Sequence, residues 1–326
     1  MFKLIFKQYK AKSSSPDLND VLNFDDPLRN DRITAHRLNT CHEENIRSIP
    51  GLKSSSTWQC YELRDHPGIL VIRNPFTERG LRYWIARCLR DYPRPPNIVN
   101  LNERLFDETV RSDWWKQLHR CQHKDDFQRT KVAMRWTTFG YHHDWDTKHY
   151  DDHMHSPFPE DLSLLCRLFS STMGYEDFKP EAAIVNYYPV GSSLSGHVDY
   201  SEPNQSAPLF SFSFGQSAIF LIGGRSLEET PTALLLQSGD VLIMSGESRL
   251  CYHAVPRILK DHKTVNCDLS KEFDDSCGGD LNALDMDLFE HVGNLSFWQP
   301  FSDYIVDSRI NINVRQVLKP GQLLLN

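Results

Sequence analysis

The first half of the chain carries apolar residues at helical spacing. Between Thr77 and Tyr92 they recur every three or four positions, which places them on one face of a helix that Thr77 can cap. A similar pattern runs from about Glu160 to Met173 and stops at Gly174, a residue type that often follows a helix. Both segments are therefore predicted to be amphipathic helices that pack on a core.

The second half of the chain has short apolar runs instead, separated by turn residues such as Gly215 and Ser238-Gly239-Asp240. Many short strands with such turns are typical of a β-sandwich or barrel of the jelly-roll kind. The strands are predicted at residues 182–188, 209–214, 217–222, 232–236, 241–244, 251–255 and 309–317, after an earlier one at 67–73. Helices followed by this set of strands predict an α+β fold.

The last predicted strand has the most informative side chains. Polar and apolar residues alternate strictly from Arg309 to Arg315, so aliphatic side chains point to one face and polar ones to the other. The polar face carries Arg309, Asn311, Asn313 and Arg315. A lone strand of this kind often meets solvent at the edge of a sheet. Alternatively, two arginines on one face can hold a small molecule with two carboxylates, because each guanidinium can form paired hydrogen bonds with a carboxylate.

Three residues at wider spacing could bind a metal ion. His197 and Asp199 stand two positions apart, and His253 follows fifty-six residues after His197 in another predicted strand. Two imidazoles and a carboxylate form the facial triad of non-haem Fe(II) oxygenases, which leaves metal positions open. A histidine and an aspartate at this spacing are common by chance, but the arginine strand follows His253 at the same interval. A 2-oxo dicarboxylate that chelates the iron would need a fixed cation at its far end, which an arginine supplies.

Composition and charge limit the partners of the protein. The 326 residues have a formal net charge of -7, so any nucleic-acid contact must use local basic patches. No apolar run approaches the roughly 18 residues needed to cross a bilayer. The eight cysteines are scattered, which predicts reduced thiols and an intracellular location, in the nucleus, cytoplasm or mitochondrion. The basic, amphipathic residues 1–16 predict a short helix packed on the domain, with a cleaved mitochondrial leader as the alternative.

Several segments resemble the AlkB-type Fe(II)- and 2-oxoglutarate-dependent dioxygenases, and among them the eukaryotic AlkB homologue one branch. The resemblance covers about residues 67–318 and is carried by residues 186–189, 197–199, 209–216, 238–240, 248–257 and 309–316. It implies a double-stranded β-helix (jelly-roll) core with N-terminal helices and a nucleotide-recognition lid. It also implies Fe(II) and 2-oxoglutarate as cofactors, with O2 as co-substrate.

The same resemblance implies a role for each site residue. The residues that would bind iron and act in catalysis are His197, Asp199 and His253. The 2-oxoglutarate contacts would be Arg309 and Tyr188 at the distal carboxylate, and Asn186, Asn311 and Arg315 at the metal-proximal end.

Residues 129–145 mix cations with aromatic rings and are the candidate for substrate binding. Unpaired nucleotides are usually held by rings that stack on bases and cations that meet phosphates. The resemblance implies that this stretch is the lid, with Arg135, Trp136 and Tyr141 bordering the base. Composition alone slightly favours the alternative, in which Trp136 and Trp145 are core residues of an ordinary strand and turn. Five arginines between residues 79 and 94 could add a basic side that follows a backbone, or could form a solvated face.

The chain is predicted to contain three regions. Residues 1–60 form an N-terminal extension with a short helix, residues 61–180 the helical support and the lid, and residues 181–326 the catalytic core. The core contains an insertion at residues 260–303 with ten acidic residues. This insertion would repel a nucleic-acid backbone if it faced the substrate, although a solvated surface loop is the simpler interpretation.

The expected function is oxidation or oxidative demethylation of methylated bases in nucleic acid, with release of formaldehyde, succinate and CO2. The resemblance implies tRNA with 1-methyladenine or 5-methylcytosine, and N6-methyladenine in DNA as a further substrate. The target base must be unpaired or flipped, which favours tRNA over duplex DNA. The protein is expected to be a monomer that needs no membrane. The alternatives are an oxygenase of the same fold acting on protein, such as a histone demethylase or hydroxylase, and a catalytically silent binding module.

Overall fold

The computed structural model describes residues 1–11, 16–27, 30–39, 49–260 and 284–325. Two sheets that pack face to face form its centre. The strands are β1 (Val21–Leu22), β2 (Ile33–Ala35), β3 (Gln59–Leu63), β4 (Ile69–Arg73), β5 (Ile98–Val99), β6 (Trp136–His143), β7 (Tyr150–His155), β8 (Ala182–Pro189), β9 (Leu194–His197), β10 (Leu209–Gly215), β11 (Ala218–Ile222), β12 (Thr232–Leu236), β13 (Val241–Met244), β14 (His253–Ile258) and β15 (Ser308–Arg315). The smaller sheet has the order β1-β12-β11-β14-β9. The larger has the order β2-β3-β4-β13-β10-β15-β8-β6-β5, with β7 paired to β6.

Strand β10 illustrates why the larger sheet is covered on both faces. Its alternate residues Phe210, Phe212 and Phe214 belong to the cluster formed with the helices behind the sheet. Leu209 points the other way and packs with Phe220 of the smaller sheet. Because successive side chains of a strand alternate between faces, the intervening serines also point into the space between the sheets. The functional side chains of neighbouring β15 face this same space, as shown by its register with β10.

Most of the helices cover the outer face of the larger sheet. They are α1 (Phe2–Lys10), α2 (Glu78–Ala86), α3 (Glu108–Ser112), α4 (Trp114–Leu118), α5 (Lys124–Ala133), α6 (Glu160–Thr172), α7 (Met286–His291) and α8 (Leu295–Ile305). Helix α1 is different, because its buried Phe2 and Tyr9 pack against Ile219 and Leu221 of the smaller sheet. This is the packed N-terminal helix that the amphipathic pattern predicts. Among the described residues, no helix has the length and apolar character needed to cross a membrane.

The α+β jelly-roll prediction is confirmed, and each predicted strand and helix has a counterpart in the structure. Thr77 caps α2, its side chain accepting a hydrogen bond from the backbone N–H of Gly80 at 3.1 Å. Strand β15 lies between β10 and β8, so the solvent-facing edge position considered for it is wrong. The patterns missed β1, β2, β3, β5, β6, β7 and β9, which are short or rich in polar residues and therefore lack a clear apolar alternation.

The predicted insertion at residues 260–303 lies in part outside the described residues, which resume at residue 284. The remainder contains α7 and nearly all of α8, and Phe301 joins the core cluster behind the larger sheet. For this part the interpretation as a solvated loop is wrong, and it lies on the face of the sheet opposite the polar side chains of β15. The predicted boundary at residue 60 falls inside β3, so the N-terminal extension continues directly into the larger sheet.

Candidate metal centre and active site

His197, Asp199 and His253 meet between the two sheets. His197 ends β9, His253 begins β14, and the two are cross-strand partners whose ring centroids lie 4.3 Å apart. The carboxylate oxygens of Asp199 lie 3.8 Å from Nε2 of His197 and 3.9 Å from Nε2 of His253. One ligand atom from each residue lies within 4.8 Å of the other two. This arrangement can hold one metal ion with two imidazoles and one carboxylate.

Backbone carbonyl groups orient both imidazoles. Nδ1 of His197 lies 3.0 Å from the carbonyl oxygen of Ser195, and Nδ1 of His253 lies 3.1 Å from that of Cys251. A carbonyl oxygen can only accept, so each Nδ1 carries the proton and each Nε2 keeps a lone pair for a metal. Burial, followed by the nearby His197, lowers the pKa of His253 to about 4. Its imidazole is therefore neutral near pH 7, as metal binding requires.

Asp199 is kept ionised chiefly by Arg315. Burial by itself would raise its pKa, but Arg315 and the two histidines bring that pKa well below its ordinary value. Nη2 of Arg315 donates to Oδ2 of Asp199 at 2.7 Å. This contact leaves Oδ1 with its lone pairs available to a metal. The structure thus places Arg315 beside the carboxylate of the triad.

Arg309, at the other end of the polar face of β15, is only 3% exposed. Its guanidinium donates to the carbonyl oxygens of Gln216 and Leu236 at 2.9 and 3.2 Å, and to Oγ of Ser213 at 2.7 Å. Burial lowers the pKa of Arg309 to about 10, so the group is still a cation at neutral pH. Within the described part of the chain, its hydrogen-bond partners are all neutral. The carboxylate of Asp240 acts on Arg309 only through its charge, and it accepts a hydrogen bond from Arg73. A buried guanidinium that no described carboxylate contacts directly fits an anionic ligand.

The cavity beside Arg309, termed the dicarboxylate cavity, also reaches the triad. His197, Asp199 and His253 line it together with apolar residues of both sheets. Its further polar lining is Tyr188, Ser211, Asn311 and Asn313. The buried arginine and the metal triad in its lining match the two ends of a short dicarboxylate that can chelate a metal. Asn313, for which the sequence pattern predicts no role, also lines this cavity.

Asn311 and Asn186, the two amides predicted to contact the metal-proximal end of 2-oxoglutarate, differ in position. Asn311 lines the cavity, and its Nδ2 donates to Oγ of Ser211 and to the carbonyl oxygen of Phe212 at 2.8 and 3.0 Å. Its Oδ1 is left to accept from a ligand. Asn186 is the cross-strand partner of Asn311, but it lines an adjoining groove that it shares with Tyr188.

A second cavity, of about 520 Å³, adjoins the triad. His197 and Asp199 line both cavities, so the two meet at the metal centre. The wide cavity is rich in rings, contributed by Tyr141, His143, Trp145, Tyr150, Tyr200 and Tyr252. Its cations are Lys148, Arg225 and Arg315. Flat rings with a few cations suit a planar, partly polar ligand such as a base.

The predicted lid, residues 129–145, comprises the end of α5, strand β6 and the start of the turn toward β7, and its residues divide between two surfaces. Tyr141 lines the wide cavity, and its hydroxyl donates to Asp152 at 3.1 Å. Arg135 and Trp136 line the adjoining groove instead. Trp145 lines both the wide cavity and the adjoining groove, and its ring centroid lies 5.7 Å from that of Trp136. The alternative of a core position for Trp145 is wrong, because its side chain is 45% exposed.

Four of the five arginines between residues 79 and 94 do not contribute to the basic side that was considered for nucleic acid. Arg82 is buried and stacks on Trp298, with its guanidinium carbon 5.0 Å from the ring centroid. Three others are neutralised by ion pairs of 2.7 to 2.9 Å, which are Arg87–Asp161, Arg90–Asp285 and Arg94–Asp113. These ion pairs connect the segment that follows α2 to neighbouring segments.

Comparison with known proteins agrees with this fold and site. Residues 68–315 match the family model described as the 2OG-Fe(II) oxygenase superfamily, and the chain belongs to this superfamily. Fe(II) and 2-oxoglutarate are accordingly its cofactors. The donor sets present fit both, since two imidazoles and an ionised carboxylate can hold the metal, and the buried Arg309 has no carboxylate among its described hydrogen-bond partners. The enzyme is a dioxygenase of the AlkB type, as its relatives indicate.

Relatives extend over nearly the whole chain. The human nucleic acid dioxygenase ALKBH1 is 36% identical over 336 residues, which cover 98% of this chain and 85% of that protein. The DNA N(6)-methyladenine demethylase ALKBH1A of Arabidopsis thaliana is 30% identical, covering 97% and 93%. The tRNA demethylase abh1 of Schizosaccharomyces pombe is 31% identical, covering 79% and 85%. The solved structure of OsALKBH1 is similar with a TM-score of 0.44 and 19% identity, covering 77% of this chain and 97% of that one.

Proposed function

We propose that the protein oxidises methyl groups on bases of nucleic acid, and that it prefers tRNA to duplex DNA. The observation that carries this proposal is that His197 and Asp199 line both the dicarboxylate cavity and the wide aromatic cavity. A base bound among the rings would therefore bring its methyl group to the same metal that the cofactor contacts. A base within a duplex cannot enter such a cavity, so the enzyme needs a flipped or unpaired base.

The roles proposed for the metal and cofactor residues are those that the resemblance implies. The proposed iron ligands are His197, Asp199 and His253. The proposed 2-oxoglutarate contacts are Arg309 and Tyr188 at the far carboxylate, and Arg315, Asn186 and Asn311 toward the metal. When bound, iron and 2-oxoglutarate supply the oxidation with O2, and succinate, CO2 and formaldehyde are released. The chain itself orients the cofactor, holds the imidazoles in the tautomer that leaves Nε2 free, and excludes water from the cavity beside Arg309.

Base recognition is proposed for the rings and cations around the wide cavity. Its volume of about 520 Å³ is in the usual range for a small-molecule site. Tyr141 and Trp145 border the space from the lid, and Tyr252 borders it from the segment before His253. Trp136 supports Trp145 from behind, and exposed Arg135 lies at the neighbouring groove, where it can meet a phosphate.

The relatives support particular substrates. One of them is a tRNA demethylase and another a DNA N(6)-methyladenine demethylase. We therefore propose 1-methyladenine and 5-methylcytosine in tRNA as the main substrates, with N6-methyladenine in DNA as a further one. We also propose that the enzyme acts as a monomer inside the cell, which size-exclusion chromatography with light scattering would check for the oligomeric state.

Incubation with total tRNA, Fe(II) and 2-oxoglutarate tests the substrate. Mass spectrometry of every modified nucleoside should show loss of 1-methyladenine or oxidation of 5-methylcytosine, together with succinate. The His197→Ala variant is the matched control and should form no succinate with any substrate. Faster turnover of methylated peptides than of tRNA would instead indicate an oxygenase of proteins. Absence of a visible charge-transfer band after anaerobic addition of Fe(II) and 2-oxoglutarate would indicate a catalytically silent module.

A further inference from the structure

A buried ion pair lies beside the metal triad and has none of the roles described above. Glu202 is 3% exposed and Arg249 is 2% exposed. Nη2 of Arg249 donates to Oε2 of Glu202 at 3.1 Å. We propose that this pair positions Asp199 and Arg315 for binding of the metal and of 2-oxoglutarate.

Arg249 connects the two segments that carry the metal ligands. Its Nη1 donates to the backbone carbonyl oxygen of Asp199 at 2.7 Å, and its Nε to that of Ala207 at 3.2 Å. Arg249 itself lies in the 3-10 helix Gly246–Leu250, shortly before His253. One planar guanidinium therefore ties the turn after β9 to the segment that leads into β14. Its donors are arranged in a rigid fork, so a lysine could not make these contacts together.

The carboxylate of Glu202 also contacts Arg315 and Tyr150. Its Oε1 lies 3.2 Å from Nε of Arg315 and accepts a hydrogen bond from the hydroxyl of Tyr150 at 3.0 Å. Arg315 is thus held between two carboxylates, because its Nη2 donates to Asp199. Tyr150 belongs to β7, which pairs with β6 of the lid, so the same carboxylate also connects this hairpin to the metal centre.

Removal of the Glu202 charge would leave Arg249 and Arg315 buried close to one another with fewer counter-charges. Arg315 would then compete more strongly for the Asp199 carboxylate that the metal needs. Residues that orient metal ligands typically change metal affinity or activity by about 10–100-fold when they are replaced. We therefore expect Glu202→Gln to weaken binding of Mn(II) and of 2-oxoglutarate by about 10-fold or more.

The matched control is Glu247→Gln, which makes the same chemical change at an exposed position of the 3-10 helix that carries Arg249. Titration calorimetry with Mn(II) and then 2-oxoglutarate, under anaerobic conditions, should give parental affinities for this control. The anaerobic Fe(II)–2-oxoglutarate charge-transfer band provides a second readout, and Glu202→Gln should require more 2-oxoglutarate to develop it. These measurements use no nucleic acid, so their outcome is independent of the proposed substrate.

Two results would overturn the proposal. The first is a Glu202→Gln variant that melts at the parental temperature and binds Mn(II) and 2-oxoglutarate like the parent. The second is a variant with parental binding of both but a raised KM for tRNA, which would make Glu202 a base-contacting residue. If Glu202→Gln does not fold, Tyr150→Phe decides, because it removes one hydroxyl and keeps the ring. Several-fold weaker 2-oxoglutarate binding by Tyr150→Phe would support the proposal, and parental binding would refute it.

Discussion

Replacement of Arg309 by lysine tests whether the guanidinium fork, and not only its charge, holds 2-oxoglutarate. In the structure the fork is anchored at the carbonyl oxygens of Gln216 and Leu236 and at Oγ of Ser213. A lysine ammonium keeps the positive charge, but it is a point donor on a flexible stem. It cannot keep these anchors and also meet both oxygens of a carboxylate with two parallel hydrogen bonds.

The size of the effect follows from the hydrogen bond that a lysine cannot form with the far carboxylate. A hydrogen bond to a charged group contributes about 1.5–3 kcal/mol. The absence of one such bond, at about 2 kcal/mol, corresponds to roughly 30-fold weaker binding. We expect the KM for 2-oxoglutarate to rise by about this factor, whereas the KM for methylated tRNA should stay within about threefold of the parental value. The reason is that Arg309 lines the dicarboxylate cavity and is absent from the lining of the wide one.

Succinate formation at varied 2-oxoglutarate and saturating tRNA measures the effect. Arg120→Lys is the matched control, because Arg120 is exposed and lies after α4, outside the lining of both cavities. The reasoning would be refuted by an Arg309→Lys enzyme with an unchanged KM for 2-oxoglutarate. It would equally be refuted by a variant whose only defect is a raised KM for tRNA.

Three further predictions concern the lid. Trp145→Ala should raise the KM for tRNA by about 10-fold or more without changing 2-oxoglutarate binding, since a stacked base is worth about 1–3 kcal/mol; parental kinetics with tRNA would exclude stacking. Burial and a neighbouring histidine lower the pKa of His142 to about 4, so the folded state should lose about 1–2 kcal/mol between pH 7 and pH 5, after allowance for solvent screening. In urea unfolding, His142→Gln should lose less of its free energy of unfolding between pH 7 and pH 5 than the parent does. An equal loss in the two proteins would show that other groups cause it. At Gly140, with φ +70°, a Cβ would lie 2.0 Å from the carbonyl oxygen of Glu181, so Gly140→Ala should lower the free energy of unfolding by about 2 kcal/mol or more. Gly321 has φ +81° but open space around it, so Gly321→Ala should lower the free energy of unfolding by less. Equal losses in the two variants would show that the backbone conformation, and not the contact with Glu181, causes the loss.

The sequence predicts the elements and chemical groups that depend on local pattern. The alternation from Arg309 to Arg315 already places both arginines on one face, because the period of two is a property of the strand itself. An extended segment would likewise place the side chains of His197 and Asp199, which stand two positions apart, on one face. These features, together with His253, predict Fe(II) and 2-oxoglutarate, whereas the jelly-roll core is predicted by the many short strands separated by turn residues. The prediction is less complete where strands are short or polar, as in β6 and β7.

The tertiary structure decided which of these groups meet and what surrounds them. It placed β15 between two strands instead of at an edge, brought Asn313 into the cofactor cavity and left Asn186 in the adjoining groove. It also neutralised the helix arginines and joined Glu202 to Arg249. Contacts of this kind connect residues that are far apart in the chain, and they depend on strand pairing and side-chain packing. Local periodicity determines the face on which a side chain lies, but the neighbours on that face are set by the assembled sheets.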